Sequence, residues 1–322
     1  MNSTRRTILA AVGLAPLVAI GRQQDGFPTR PVTVVVGFPA GQTTDIVART
    51  IVQDMSTSLG QSFVVDNRPG AGSTFAVGLV TRAKPDGYTL LWGGSGNLAI
   101  APYLYKFATY DPLKDLEALT MGGYAPMLLT VRADSKYHTL AELLQAAKQT
   151  TLNYGSGGSG VTNHLGMELL RGMTGAKLFH VPYKGSVPAM NDLLGGRLDL
   201  MFDSIPSSVA QIKAGRLRAL AVSSSKRLRN FPEIPAVAEL VPGYECVAWT
   251  ALCAPGGTPA RVQELLASAA LESMSKPSVH DSLEQLGNYV DPTMNIEKTR
   301  QWIASQGAKF KKIIQDNKIT AD

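Results

Sequence analysis

The sequence predicts an α/β protein of two lobes, each a mainly parallel sheet flanked by helices, with the chain crossing between them twice. Three observations predict it. Length comes first: 322 residues is about two domains at roughly 150 residues each. Second, short β-branched runs alternate with amphipathic helical patterns, the mark of parallel sheets covered by helices. Third, this alternation stops and restarts near Pro126, so there are two units rather than one long sheet.

Met1–Gly21 is set aside before the fold is read. Arg5 and Arg6 form a positive n-region, Thr7–Ile20 is almost wholly apolar, and Ala19 and Gly21 supply small residues for cleavage near Gly21. The run is too short to span a bilayer. An exported, periplasmic protein is expected, by the Sec or the twin-arginine route, since Thr4–Leu9 resembles a twin-arginine signal. Loss of Arg5 and Arg6 lowers the net charge of +6 by two, to +4.

In the first unit, Val32–Gly37 (VTVVVG) reads as a strand buried on both faces. Phe38–Gln42 is a loop. The helix from Thr43 to Leu59 places Ile46, Val47, Thr50, Ile51 and Met55 on one face and stops at Gly60. Strand Phe63–Asp66, a turn over 67–72, a helix to Ala83, strand Tyr88–Trp92 and a loop over 93–97 follow. The second unit opens with strand Met127–Val131 and helix Leu140–Gln149. Leu152–Tyr154 leads into the Gly/Ser run 155–160 and a helix to Met173. Strand Leu178–Val181, helix Pro188–Leu194, strand Leu198–Phe202, helix Pro206–Ala214 and strand Leu217–Val222 complete it. Cys246–Ala254 is extended, and helices Pro259–Ser275 and Ile296–Asp316 end the chain. The crossings fall near Gly122–Pro126 and Pro242–Ala248. The units are therefore 22–123 with 246–322, and 124–245.

Composition excludes several classes. A hydrophobic share of 44% with 17% charged residues is not that of a disordered chain. Two Cys and four His show no zinc spacing, and no metal or other cofactor is implied. Cys246 and Cys253 lie seven positions apart on one extended segment, so about 23 Å separates them, too far for a disulfide. The basic cluster Lys309, Lys311 and Lys312 reads as a solvated helix face, so no nucleic acid is expected. Gly155-x-Gly157-x-x-Gly160 matches a dinucleotide fingerprint, but no acidic residue follows about 20 positions on. Ser95 and Ser159 fail the G-x-S-x-G elbow, and His164 reads as a packing or capping residue.

The loops Phe38–Asp45 and Gly155–Asn163 each precede a helix, whose N-terminus offers unpaired N–H groups and partial positive charge. Both lie beyond the carboxyl ends of strands, where open α/β sheets bind ligands. Thr43, Thr44, Ser156, Ser159 and Thr162 add hydroxyls with little basic charge nearby. That chemistry suits a small carboxylate, although the same residues also make turns and N-caps. Asp203, at a strand end, is either a cap for the next helix or an acceptor for a ligand amine, hydroxyl or water. Tyr154, Tyr183 and Trp249 are core residues or cleft walls.

With Phe38-Pro39-Ala40-Gly41-x-x-x-Asp45, Asn67–Gly72, Asp86–Leu90, Leu152–Ser156, His180–Gly185, Leu193–Gly196 and Leu217–Val222 in order along the chain, the sequence closely resembles the solute receptors of tripartite tricarboxylate transporters, the Bug family. The resemblance covers essentially the whole mature chain. It implies a type II periplasmic binding fold that closes on a small mono- or dicarboxylate, acts as a monomer without catalysis, and delivers to membrane transporter subunits. A receptor that signals to a membrane kinase, or a periplasmic enzyme acting on an organic acid, are the alternatives. It also implies a ligand-binding role for Phe38, Pro39, Ala40, Gly41, Gln42, Thr43, Thr44 and Asp45. Ser156, Gly157, Gly158, Ser159, Gly160 and Thr162 form the second half, with Ser95 and Asp203 beside them. Two positions depart from the family. Gln42 stands where a second Gly is usual, and its Cβ resists positive φ while its amide can reach the cleft. Ser73 likewise replaces a common Gly.

Overall fold

The computed structural model describes residues 26–320; the expected signal peptide lies outside them. No helix among the described residues is long and apolar enough to cross a membrane.

The first sheet begins with β1 (Val32–Val36), α1 (Thr43–Leu59), β2 (Phe63–Asn67), α2 (Thr74–Thr81) and β3 (Thr89–Gly94). A wide helical turn over Gly96–Ile100 runs into α3 (Ala101–Leu104), and β4 (Leu116–Ala125) ends this part. The second sheet takes β5 (Met127–Arg132), α4 (Leu140–Gln149), β6 (Leu152–Ser156), α5 (Thr162–Thr174) and β7 (Leu178–Pro182). It continues through α6 (Ser186–Leu194), β8 (Leu200–Ser204), α7 (Ile205–Lys213), β9 (Leu217–Val222) and α8 (Val237–Leu240). The chain then returns through β10 (Ala248–Pro255), α9 (Ala260–Ser275), α10 (Pro277–Gln285) and α11 (Ile296–Asp316).

The strand orders are β2-β1-β3-β10-β4 and β7-β6-β8-β5-β9. In each sheet four strands run one way, and the strand that enters from a crossing, β10 or β5, pairs antiparallel with both neighbours. The sheets are thus mixed, though mainly parallel. Residues of β1 divide between two cores. Val34 and Val36 pack with Val47, Ile51 and Met55 of α1 and with α9, while Val35 faces Val77 and Val80 of α2. Burial on both faces is why the strand shows no polar alternation.

The crossings lie side by side. Pro126 alone separates β4 from β5. Met127 N–H donates to Ser223 Oγ and Ser223 N–H to the Met127 carbonyl, both at 2.9 Å. Cys246 N–H donates to the Ser223 carbonyl at 3.0 Å, just before β10. On the far side, α11 of the first lobe reaches α5 of the second through a bond from Arg171 to Asn317.

Four expectations need correction. The buried face of α1 is Val47, Ala48, Ile51, Val52 and Met55, with Ile46 exposed. Ile46 lies a 100° step from Val47, on the side away from sheet and α9. The strand expected at Leu198–Phe202 is displaced by two residues to Leu200–Ser204. Leu198 sits below the backbone of Gly155, where a Cβ would come within 2.5 Å of it, so Leu198 is a core plug before the strand. β4 and α10 were not expected. Gly122 and Gly123 make β4 look like a linker, yet Trp92 and Asn288 fill the space their missing Cβ atoms leave. Lys309 is half-buried and donates to the Glu245 carbonyl at 3.1 Å, so only Lys311 and Lys312 are a solvated face. Cys246 and Cys253 are free and buried, and burial pushes both thiols up to about 12.

Candidate functional site

Between the lobes lies a cleft of about 630 Å³. Two helix N-termini open onto it. Gln42 caps α1 and Val161 caps α5, and neither end has a side-chain cap. Helices normally recruit Ser, Thr, Asp or Asn for that task. Here the first-turn N–H groups, with the positive ends of both helices, are left for something in the cleft.

Of the residues expected to bind, Phe38, Thr43, Thr44, Ser95, Gly157, Gly160, Thr162 and Asp203 line the cleft. Ser95 Oγ and Thr162 Oγ1 lie 3.4 Å apart, joining the first lobe to the second across the mouth. Leu104 packs onto Gly160 so closely that a Cβ there would come within 2.2 Å of it. The lobes are therefore in contact at the mouth, a closed arrangement.

The other expected residues do not line the cleft. Pro39, Ala40, Gly41 and Gln42 are exposed on the loop before α1. Gly41 takes the positive φ of 83° and Gln42 stays extended at φ −76°, so Gln42 fits without backbone strain. Asp45 is buried and turned into its own loop. It accepts from Gly41 N–H at 2.8 Å, Asn67 Nδ2 at 2.8 Å and Arg49 Nε at 3.0 Å. Burial opposes its ionisation, but the bonds from Arg49, Gly41 and Asn67 outweigh that and hold it below the usual carboxylate range. Asp45 shapes the loop.

Ser156, Gly158 and Ser159 also lie off the cleft lining. Ser156 Oγ accepts from Gly158 N–H at 3.1 Å and bonds His180 Nε2 at 2.6 Å. His180 stacks on His164 with ring centroids 3.8 Å apart, and His164 Nδ1 accepts from Gly160 N–H at 2.9 Å. Burial, then the charge of His180, pushes the His164 pKa down to about 4; its neutral ring is the acceptor the loop needs. Tyr154 is core, donating to Glu168 at 2.6 Å, and Tyr183 donates to Asp192 at 2.7 Å.

The sequence reading missed Ser73, Asn163, Ser186, Thr250 and Asn288, all of which line the cleft. Asn163 follows Thr162 in the α5 first turn and was legible there; Thr250 and Asn288 come from remote segments. Trp249, Thr250 and Asp203 meet at the cleft floor, and Trp249 Nε1, Thr250 Oγ1 and Asp203 Oδ2 are buried without a partner among the described residues. No Lys, Arg or His lines the cleft, and Asp203 is its one carboxylate. No cluster of three or more metal-ligating side chains occurs among the described residues.

Comparison with known proteins follows this geometry. The model of the tripartite tricarboxylate transporter family receptor matches residues 47–319. An uncharacterised protein from the tcbD-tcbE intergenic region of Pseudomonas sp. (strain P51) is 40% identical over 292 residues, 89% of this chain and 87% of that one. Protein BugT of Bordetella pertussis is 33% identical over 324 residues, 98% of each chain. Among solved structures, a TctC solute binding protein from Polaromonas aligns with a TM-score of 0.82 at 29% identity, covering 90% of this chain and 99% of that one. An R. palustris protein with adipate gives 0.77 at 35%, covering 91% and 99%. MatC from Rhodopseudomonas palustris, with bound malate, gives 0.73 at 31%, covering 89% and 100%. Two lobes around a cleft, matched over nearly the whole chain, leave one conclusion: this chain belongs to the tripartite tricarboxylate transporter receptor family, the Bug-type periplasmic solute-binding proteins.

Proposed function

We propose that this chain is a non-enzymatic receptor that captures a small carboxylated organic acid by lobe closure and delivers it to the membrane subunits of a tripartite tricarboxylate-type transporter. One observation carries the reading: two helix N-termini without side-chain caps, α1 and α5, converge on one cleft that has no Lys, Arg or His. First-turn N–H groups and the hydroxyls of Thr43, Thr44 and Thr162 hold the carboxylate, each charge-assisted bond contributing about 1.5–3 kcal/mol. Adipate and malate in two similar proteins support a carboxylate. No nucleophile with a neighbouring base lines the cleft to support catalysis.

The lobes are 22–123 with 246–322, and 124–245. They move as rigid bodies about Pro126 and the segment 246–248. The mature protein works as a periplasmic monomer after cleavage near Gly21. Transport is favoured over signalling because the matching family model is that of a transporter receptor.

A thermal-shift screen of mono- and dicarboxylates tests the reading. Ligand at a hundred times its Kd adds about 2.7 kcal/mol of apparent stability, and small-angle scattering should then show a smaller radius than for the free protein. The absence of a shift with every acid in the screen would sink the proposal.

A further inference from the structure

We infer that the ligand carries an ammonium group beside its carboxylate and that Asp203 is the acceptor that recognises it, so that the receptor selects amino acids over plain organic acids. The inference rests on the carboxylate reading and deepens it. Asp203 is 4% exposed and lines the cleft, and its Oδ2 has no hydrogen-bond donor among the described residues. Burying an unpaired carboxylate is costly, and the protein supplies nothing to offset that cost. No Lys, Arg or His lines the cleft. The nearest polar side chain on α5, Asn163, is already committed: its Nδ2 donates to the Phe202 carbonyl at 3.2 Å and its Oδ1 accepts from Gly157 N–H at 3.4 Å.

The cleft therefore has two poles. The positive ends of α1 and α5 form one, and the Asp203 carboxylate forms the other. A plain carboxylate answers the first pole and adds a second negative charge opposite Asp203 as the lobes exclude water. A hydroxyl supplies a donor and leaves the charge of Asp203 unanswered. An ammonium group supplies both the donor and the charge, and a zwitterion matches both poles at once. The poles are close together, because Asn163 of the α5 first turn bonds the residue directly before Asp203. That spacing fits an amino group on the carbon next to the carboxylate.

Calorimetry on the mature protein with matched acids tests this. The sets are aspartate, malate and succinate; glutamate, 2-hydroxyglutarate and glutarate; and leucine, 2-hydroxy-4-methylpentanoate and 4-methylpentanoate. In whichever set binds, the 2-amino acid should bind at least tenfold tighter than its deamino partner. Asp203→Asn should weaken the amino acid at least tenfold and leave the deamino acid unchanged or tighter. The melting temperature of the free variant should stay at or above that of the parent protein, since a lone buried charge has been removed. A deamino or hydroxy acid that equals or outbinds the amino acid in the unaltered protein overturns the inference, whatever the variant does. So does a variant that weakens all three forms equally. If no acid of any set binds, the carboxylate reading fails and takes this inference with it; if the acids bind without preference for the amino form, only the inference fails.

Discussion

The two loops that present helix N-termini to the cleft have the same task and are held by opposite means. The loop before α1 is fastened by charge: Asp45 gathers Gly41 N–H, Asn67 and Arg49 around one carboxylate. The loop before α5 is fastened by neutral groups: Ser156 bonds His180, and His164, stacked on His180, accepts from Gly160 N–H. In both, the fastening residue sits behind the backbone, so the N–H groups in front remain open to the cleft. The difference is in how each responds to acid. A carboxylate with a lowered pKa gives its stabilisation above its unfolded value and loses it as pH falls through the folded value. Asp45 therefore loosens only below its ordinary pKa of 3.8. A histidine with a lowered pKa is fully stabilising above its unfolded value of 6.5, and loses that stabilisation between 6.5 and about 4. Between pH 7 and 4 only the second loop should respond.

The largest expected effect breaks the charged fastening. Asp45→Ala leaves a buried backbone N–H and two side chains without their acceptor, and should cost about 3 kcal/mol, read by denaturant melts at pH 7. The pH response comes next. While the unfolded state binds more protons, stability rises with pH; the His164 shift of about 2.5 pKa units accounts for up to about 3 kcal/mol between pH 4 and 6.5. In His164→Gln the amide oxygen can still accept from Gly160 N–H, so the pH dependence over that range should flatten. An unchanged slope would remove His164 from the argument.

The hydroxyls at the two helix starts give a third comparison. Thr44→Val and Thr162→Val should each weaken binding of a confirmed acid about tenfold to a hundredfold by calorimetry, at about 1.4 kcal/mol per decade. Lys184 is exposed and off the cleft lining, so Lys184→Met should leave affinity unchanged; loss of binding there instead would reverse the assignment. The smallest effect is at Ser73, held at φ 68° where the family commonly has Gly. Ser73→Gly should relieve the left-handed strain and raise stability by at most about 1 kcal/mol, since glycine also gives the unfolded chain more freedom to lose.

Much of the architecture was legible in the chain. The bounds of α1, α4, β9 and α11 coincide with those read from periodicity and end signals. Gly60 ends α1 with φ 63°, while Thr139 and Asn295 cap the starts of α4 and α11 through their side chains. β4 was not legible, because its small residues make sense only against Trp92 and Asn288, which are remote in sequence. At the site, the two loops could be found by composition, but the direction of each side chain could not. Asp45 and Ser156 sit in the same short motifs as Thr44 and Thr162 yet bond backwards into the protein.

The sequence by itself determined the two α/β units, the crossings between them and the two helix starts that face a ligand, because these follow from local periodicity, glycine placement and strand–helix alternation. The tertiary structure alone decided which polar groups are spent on the fold and which are left open. Whether a carboxylate such as Asp45 or Asp203 finds a donor depends on neighbours brought together from distant parts of the chain. Asp45 meets Asn67 and Arg49, whereas Asp203 Oδ2 is buried beside a cleft that supplies no donor.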